Sequence, residues 1–155
     1  MEFNVYKNIK SISDIVFKQL TELGSITIIL AIVVYSYFYN FDLSLRIFID
    51  IIAITLIATI IKALFFHARP KKQKITTLVE RIDASSFPSV HSARITALVF
   101  WLIYYSSNII LSMIIGVAGI LVAYSRIYLK KHYWLDVFGG IVLGAIVIGA
   151  TYYLM

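Results

Sequence analysis

The sequence predicts an all-α membrane protein: a polytopic bundle of about five transmembrane helices, preceded by an N-terminal amphipathic helix in the membrane interface. Three observations predict it. Apolar residues make up 61% of the 155 positions and charged residues 14%, against about 45–50% and about 25% in ordinary soluble domains. The mean hydropathy is +0.89, more apolar surface than so small a soluble domain can bury. The polar residues fall in clusters between long apolar runs, as bilayer-spanning segments require. A disordered chain, a soluble module and a nucleic-acid binder are excluded. The net charge of +6 therefore belongs to lipid headgroups and topology rather than to nucleic acid. With no cysteine there is no disulfide framework, thiol nucleophile or thiolate metal site.

Each element follows in order. In residues 1–24, Val5, Ile9, Ile12, Val16, Leu20 and Leu23 recur at spacings of three and four, which is one helix face. Lys7, Lys10, Asp14, Lys18 and Glu22 lie on the others, so an interfacial helix is expected. Charges interrupt any signal-peptide core. Residues 25–41 are the first expected span and 43–66 the second, with Arg46 and Asp50 expected to pair at spacing four. His67 to His91 is the one long polar loop. Residues 95–124 hold no charge. They form either one helix of roughly 45 Å or two spans turning at Ser106-Ser107-Asn108. Residues 137–155 are the last span. Residues 25–155 thus form one membrane domain behind the segment 1–24.

Three polar clusters sit at helix ends: Lys62 to Pro70, Phe87 to Ser92, and Ser125 to Asp136. His132 and Asp136 are four apart. On one helix they share a face, and a carboxylate on one ring nitrogen frees the other as base or nucleophile. The plain alternative is a polar pair at a helix end. Lys62, Arg69 and Arg126 suit a transferring phosphoryl group, or else set topology. Lys62, inside an apolar helix, needs a partner. Lys71, Lys72, Lys74, Lys130 and Lys131 read as snorkelling or topology-setting charge. Pro88 suits the first turn of a helix, with Ser86 as its cap. Ser89, His91 and free N–H groups then crowd an anion-friendly N-terminus.

Taken together, the clusters resemble the type 2 phosphatidic acid phosphatase (PAP2) superfamily, in its membrane lipid phosphatase branch. Lys62, Arg69 and Pro70 match K-x6-R-P; Pro88, Ser89 and His91 match P-S-G-H; Ser125, Arg126, His132 and Asp136 match S-R-x5-H-x3-D. Ser86-Phe87, Val137, Gly140 and Gly144 add flanking support, and the resemblance covers residues 24–155. Two departures stand out. Val90 replaces the usual Gly, and the chain is short of the family's common six spans, so that its first span is absent or reduced to residues 1–24.

The resemblance implies an integral-membrane, metal-independent hydrolase acting on a lipid phosphate or diphosphate: a polyprenyl diphosphate such as undecaprenyl diphosphate, phosphatidate or phosphatidylglycerophosphate. It implies His132 as nucleophile forming a phosphohistidine, Asp136 orienting it and His91 as general acid. Lys62, Arg69, Ser89, Arg126 and the Val90 backbone would bind phosphate. Pro70, Pro88 and Ser125 support the motifs, and no cofactor or metal is implied. These roles require His91 and His132 to reach one phosphate, so 95–124 must be a hairpin turning near Ser107. They also imply a bell-shaped pH–rate profile. His67 reads as structural or interfacial. The positive-inside rule would set the catalytic end in the cytoplasm, whereas the resemblance implies the outer face, which is the expectation here. An inactive lipid-headgroup binder and a small anion transporter are the alternative functions. Partners are the substrate lipid and the bilayer, with no nucleic acid; the sequence does not determine an oligomer.

Overall fold

A computed structural model describes residues 2–71 and 76–155, with side chains from residue 12 onward. Among these residues lie seven helices and no strand. They are α1 (Glu2–Glu22), α2 (Ile26–Tyr37), α3 (Phe41–Leu64), α4 (Leu78–Ala84), α5 (Val90–Tyr104), α6 (Ile109–Tyr128) and α7 (Trp134–Leu154). Helices α3, α6 and α7 are long and apolar enough to cross a bilayer individually. The pair α1–α2 qualifies as a further span only if its two limbs, bent by 48°, count as one. Helix α5 is apolar but has 15 residues, about 22 Å against a hydrocarbon core of about 30 Å. The expected count of five therefore exceeds what length and composition alone supply.

Local chemistry explains the boundaries. Ser25 and Asn40 cap α2 and α3 by accepting from Ile28 N at 3.4 Å and Leu43 N at 3.0 Å. The uncharged stretch is a hairpin. Residues 105–108 turn, and Asn108 Oδ1 accepts from Ile110 N and Leu111 N to start α6. Helix α4, inside the segment read as loop, is set by a capping box between Thr77 and Glu80, which satisfies orphan N–H groups reciprocally.

Two expectations are corrected. Ser86 does not cap α5; Ser89 does, and Pro88, following a cis Phe87–Pro88 bond, precedes that cap. Ser86 is occupied elsewhere: its N–H and Oγ donate to His67 O at 2.7 and 3.1 Å. Nor does Arg46 pair with Asp50. Arg46 Nε reaches back one turn to Asp42 Oδ2 at 2.8 Å. Asp50 faces inward and is fully buried, where it accepts from Trp101 Nε1 at 2.7 Å and from Thr151 Oγ1. The inward rotation of Asp50 follows from burial, since a buried acceptor without donors costs about 1–3 kcal/mol.

Apolar side chains of α2, α3, α5, α6 and α7 form the core, among them Ile29, Ile47, Ile54, Leu98, Trp101 and Val122. Large apolar residues elsewhere face outward, including Ile60, Leu64, Ile110, Ile120, Phe138 and Ile146. A bilayer, not water, is the solvent that such a surface fits. The polypeptide is thus an all-α integral-membrane bundle.

Helix α1 packs against α6. Phe17 stacks on Tyr128 at 4.2 Å, and Tyr128 OH donates to Asp14 at 2.9 Å. Ile12, Val16 and Leu23 of the expected apolar face are exposed and so turned away from the protein. The side chains of Val5, Lys7, Ile9 and Lys10, and residues Lys72 and Lys74, lie outside the described residues.

Candidate active site

The three polar clusters meet at one end of the bundle. There α3 and α6 end, α5 and α7 begin, and α1 meets α2. A network of small residues sets the approach. Helix α5 packs closely on α7 because Gly140 and Gly144 of α7 carry no side chain. A Cβ on Gly140 would stand 2.3 Å from Ser89 O, and one on Gly144 2.7 Å from Ala93 O. Ser89 N then donates to Asp136 O at 2.9 Å, so the second motif is tied to the third through the backbone.

His132 lies in the turn between α6 and α7. His132 N and Lys131 N both donate to Arg126 O, at 3.1 and 3.0 Å. The chain thereby reverses directly beneath Arg126. Asp136 Oδ2 accepts from Tyr133 N at 2.7 Å and lies 3.7 Å from His132 Nδ1. The expected pairing on one helix face is corrected: His132 precedes α7, and the pair forms across that helix's N-terminal cap. Both side chains are buried. His132 Nδ1 and Asp136 Oδ1 have no hydrogen-bond partner among the described residues.

The cations gather around this pair. Arg69 Nη2 donates to Asp83 O at 2.6 Å, and Arg126 Nη1 to Thr21 Oγ1 at 2.8 Å. The Nε of each is buried without a partner among the described residues. Lys62, in the last turn of α3, is 8% exposed, with Arg69, Asp83, Asp136 and Arg126 as its charged neighbours. His91 is half-buried in the first turn of α5 and, like His132, lies in the field of Arg126 and Arg69. It packs by Gly24, where an added Cβ would come within 3.3 Å of His91 Cδ2.

The remaining expected residues are placed as follows. Ser89 is fully buried, and its Oγ accepts from Ser92 N and Ser92 Oγ as the α5 cap. Val90 opens α5 with its side chain packed against the hydrophobic core; the helical backbone there needs no glycine. Ser125 Oγ donates to Val122 O at 2.6 Å and braces its own helix. Pro88 is fully buried, and Pro70 half-buried behind Arg69. His67 acts through its backbone. Its N–H donates to Ser85 Oγ at 3.2 Å and its carbonyl accepts from Ser86, forming a strap that presents Arg69. Thr21, which holds Arg126, carries no signal in the sequence. It lies on a segment whose periodicity speaks only of an interface. Among the described residues no group of three His, Cys, Asp or Glu is placed to hold a metal ion.

Electrostatics set the state of His132. Burial, then Arg126, Arg69 and Lys62, push its pKa down to about 2. A base whose proton affinity falls on folding leaves the unfolded chain binding more protons below about pH 6.5. Stability is then lost as pH falls through that point, by up to about 1.4 kcal/mol per unit. With selective histidine labelling, the His132 ring signal, assigned by its loss in His132→Gln, should stay that of the neutral form from pH 8 to pH 5. Titration at an ordinary midpoint would contradict this environment.

The PAP2 superfamily pattern matches residues 43–155. Sphingosine-1-phosphate phosphatase 2 of Homo sapiens is 31% identical over 123 residues, covering 74% of this chain and 31% of that protein. Its Mus musculus counterpart is 31% identical over the same length, covering 35% of that protein. The chain thus spans about a third of the length of these curated relatives. The fold is similar to the crystal structure of Aquifex aeolicus LpxE, with a TM-score of 0.77, 22% identity, and coverage of 92% of this chain and 86% of that one. It is also similar to a transmembrane PAP2 type phosphatidylglycerolphosphate phosphatase from Bacillus subtilis, with a TM-score of 0.72, 23% identity and coverage of 91% and 75%. The ten motif residues, their convergence at one end of a membrane bundle and the match over residues 43–155 lead to one conclusion: this chain belongs to the PAP2 superfamily.

Proposed function

We propose that the chain is a membrane phosphatase that removes the terminal phosphate from a lipid phosphate or diphosphate through a phosphohistidine on His132. The observation that carries this reading is the buried His132–Asp136 pair, 3.7 Å apart, set beneath Arg126 and beside Arg69 and Lys62. The Asp136 carboxylate, 3.7 Å from Nδ1, favours the tautomer protonated there, so that Nε2 presents its lone pair. Nε2 attacks phosphorus; the P–N bond forms, and the bond from phosphorus to the leaving oxygen breaks. The electron pair leaves with that oxygen, which takes a proton from His91. Water then cleaves the P–N bond and releases inorganic phosphate. Lys62, Arg69 and Arg126, with the Val90 N–H at the start of α5 and Ser89, hold the phosphate oxygens while charge is redistributed. This assigns the charge neutralisation to side chains rather than to a metal.

A lipid leaving group is supported by an apolar groove of about 510 Å³ between α5 and α6, lined by Ile95, Val99, Phe100, Gly116, Gly119 and Ile120. Ile95 is one turn from His91. The curated relatives and the Bacillus protein are named as phosphatases of lipid phosphates, which supports the same class.

The test is phosphate release by detergent-purified protein in EDTA, from a polyprenyl diphosphate, phosphatidate and phosphatidylglycerophosphate, beside His132→Ala. Release that disappears in the variant is expected. No release from any lipid by the folded native protein would overturn the enzyme in favour of an inactive headgroup binder or an anion transporter. We further place the site on the outer face of the cell membrane. The chain lacks cysteine, so Ser107→Cys, exposed in the turn at the opposite end, should react with an impermeant thiol reagent only after the membrane is opened. Labelling of intact cells would reverse the orientation.

A further inference from the structure

The two arginines of the site are held by the two helices at the edge of the bundle. Among the described residues, each guanidinium is tied to the protein by a single hydrogen bond. Arg126 Nη1 donates to Thr21 Oγ1 at 2.8 Å, and Arg69 Nη2 donates to Asp83 O at 2.6 Å. Thr21 belongs to α1 and Asp83 to α4. The end of α4 is also laced to the strap that carries Arg69. Ser85 Oγ accepts from His67 N, Ser86 N and Oγ donate to His67 O, and Ala68 bridges to Ser85. Where α4 sits therefore sets where Arg69 points.

Both helices turn an apolar face away from the protein. On α4, Leu78 and Val79 are 77% and 69% exposed, while Ala84, on the opposite side of the helix, is buried. The two exposed side chains are not what starts the helix, since the capping box between Thr77 and Glu80 does that. On α1, Ile12, Ile15 and Val16 are exposed, while Phe17 stacks on Tyr128 of α6. The apolar face of α4 continues a surface that already meets lipid. Helix α4 packs on α3, the Arg81 guanidinium lies 5.8 Å from the Phe66 ring centroid, and Leu64 and Phe65 at the end of the α3 span are exposed. An apolar face with cations at its edge, beside the end of a span, fits the boundary between headgroups and acyl chains.

We propose that α4 is a lipid-docking arm, paired with α1, and that seating these two arms in the bilayer surface sets the two phosphate-binding arginines. The partner is the headgroup–acyl boundary of the membrane that holds the chain. Leu78 and Val79 enter it beside Leu64 and Phe65. With α4 docked, Asp83 O stands where it holds Arg69; with α1 docked, Thr21 Oγ1 does the same for Arg126. The buried Nε of each arginine, unpartnered among the described residues, is then left for the anion. Lifting an arm out of lipid frees one guanidinium to turn, which weakens phosphate binding rather than the chemical step. The inference rests on the reading of Arg69 and Arg126 as phosphate binders above, and it needs no turnover.

The double variant Leu78→Gln/Val79→Gln removes the apolar face and keeps good helix formers. In phosphatidylcholine nanodiscs it should bind inorganic phosphate, read by phosphorus NMR, about threefold to tenfold more weakly than the native protein, the cost of ordering one long side chain at a binding site. KM for a lipid phosphate should rise by a similar factor, with kcat near native. Leu78→Ile/Val79→Ile, still apolar, should match the native protein in both. All three should unfold at similar temperatures, since neither side chain lies in the core. The chain lacks cysteine, so a fluorophore on Val79→Cys reads the docking itself: spin-labelled lipid should quench it and aqueous iodide should not. Quenching by iodide alone puts α4 in water and overturns the inference. Native phosphate affinity in Leu78→Gln/Val79→Gln overturns it too, as does a native protein that binds no phosphate. Equal weakening in the conservative double variant assigns the effect to packing within the protein and has the same consequence. If the native protein hydrolyses no lipid, quenching and phosphate affinity still decide the inference, and only the phosphatase reading falls.

Discussion

Asp136→Asn should lower kcat by about 10²–10⁴ while leaving KM within a few-fold of native. The carboxylate does two things in the structure. It accepts from Tyr133 N at 2.7 Å, starting α7, and it stands 3.7 Å from His132 Nδ1. An asparagine can keep the first contact through its carbonyl oxygen. Its amide nitrogen then faces His132 Nδ1 as a donor, where the native carboxylate, 3.7 Å away, favours a proton on the ring. The ring is driven to the tautomer protonated at Nε2, which has no lone pair there for the proposed attack on phosphorus. In the proposed mechanism Asp136 acts through His132 rather than on the substrate, so the measurement must separate orientation from folding. The variant should unfold close to the native temperature and bind a non-hydrolysable substrate analogue normally. Its His132 ring should show the other tautomer by nitrogen chemical shift. A variant that keeps native kcat, or that loses activity only because it unfolds, would remove Asp136 from this role.

Gly140→Ala should destabilise the protein by at least about 1 kcal/mol and reduce activity, although alanine is the better helix former. In an open helix the exchange gains about 0.5–1 kcal/mol. Here the new methyl would stand 2.3 Å from Ser89 O and 3.0 Å from Ser92 Cβ, inside the contact of α7 with α5. The nearest obstacle is backbone, so relief requires the helices to part, at about 1–3 kcal/mol or more. Ser89 N donates to Asp136 O at this same contact, so the cost falls on the site. Gly149→Ala, with nothing within 4 Å of the new methyl, should be neutral or mildly stabilising. Thermal unfolding of both variants in detergent checks the pair. A stabilised Gly140→Ala would mean that the two helices do not depend on this close approach.

Much of the architecture is legible in the chain itself. Apolar runs bounded by Asn40, Asn108 and the charged clusters place α3, α6 and α7, because a bilayer admits only backbones that satisfy their own hydrogen bonds. The hairpin at Ser107 is reached by requiring that two histidines meet one phosphate. What periodicity does not encode is the use to which a capping or ionic group is put. Ser86 and Ser89 are equally good caps on paper, and the strap to His67 takes the first. Asp42 and Asp50 stand equally far from Arg46 along the helix, and the buried donors Trp101 and Thr151 claim Asp50. Helix α4 was hidden because seven residues give too short a pattern to stand out in a polar segment.

By itself the sequence determined the solvent, the helical class and the ten residues of the motif, since these depend on composition and on spacing along one chain. Only the tertiary structure decided that His132 meets Asp136 across the cap of α7, that Thr21 holds Arg126 from α1, and that Lys18, Lys71, Lys130 and Lys131 share one cavity. The second of those relations joins residues 105 positions apart. They arise where side-chain volume lets helices approach, at Gly24, Gly140 and Gly144, and a local pattern carries no information about which distant surface will fill that space.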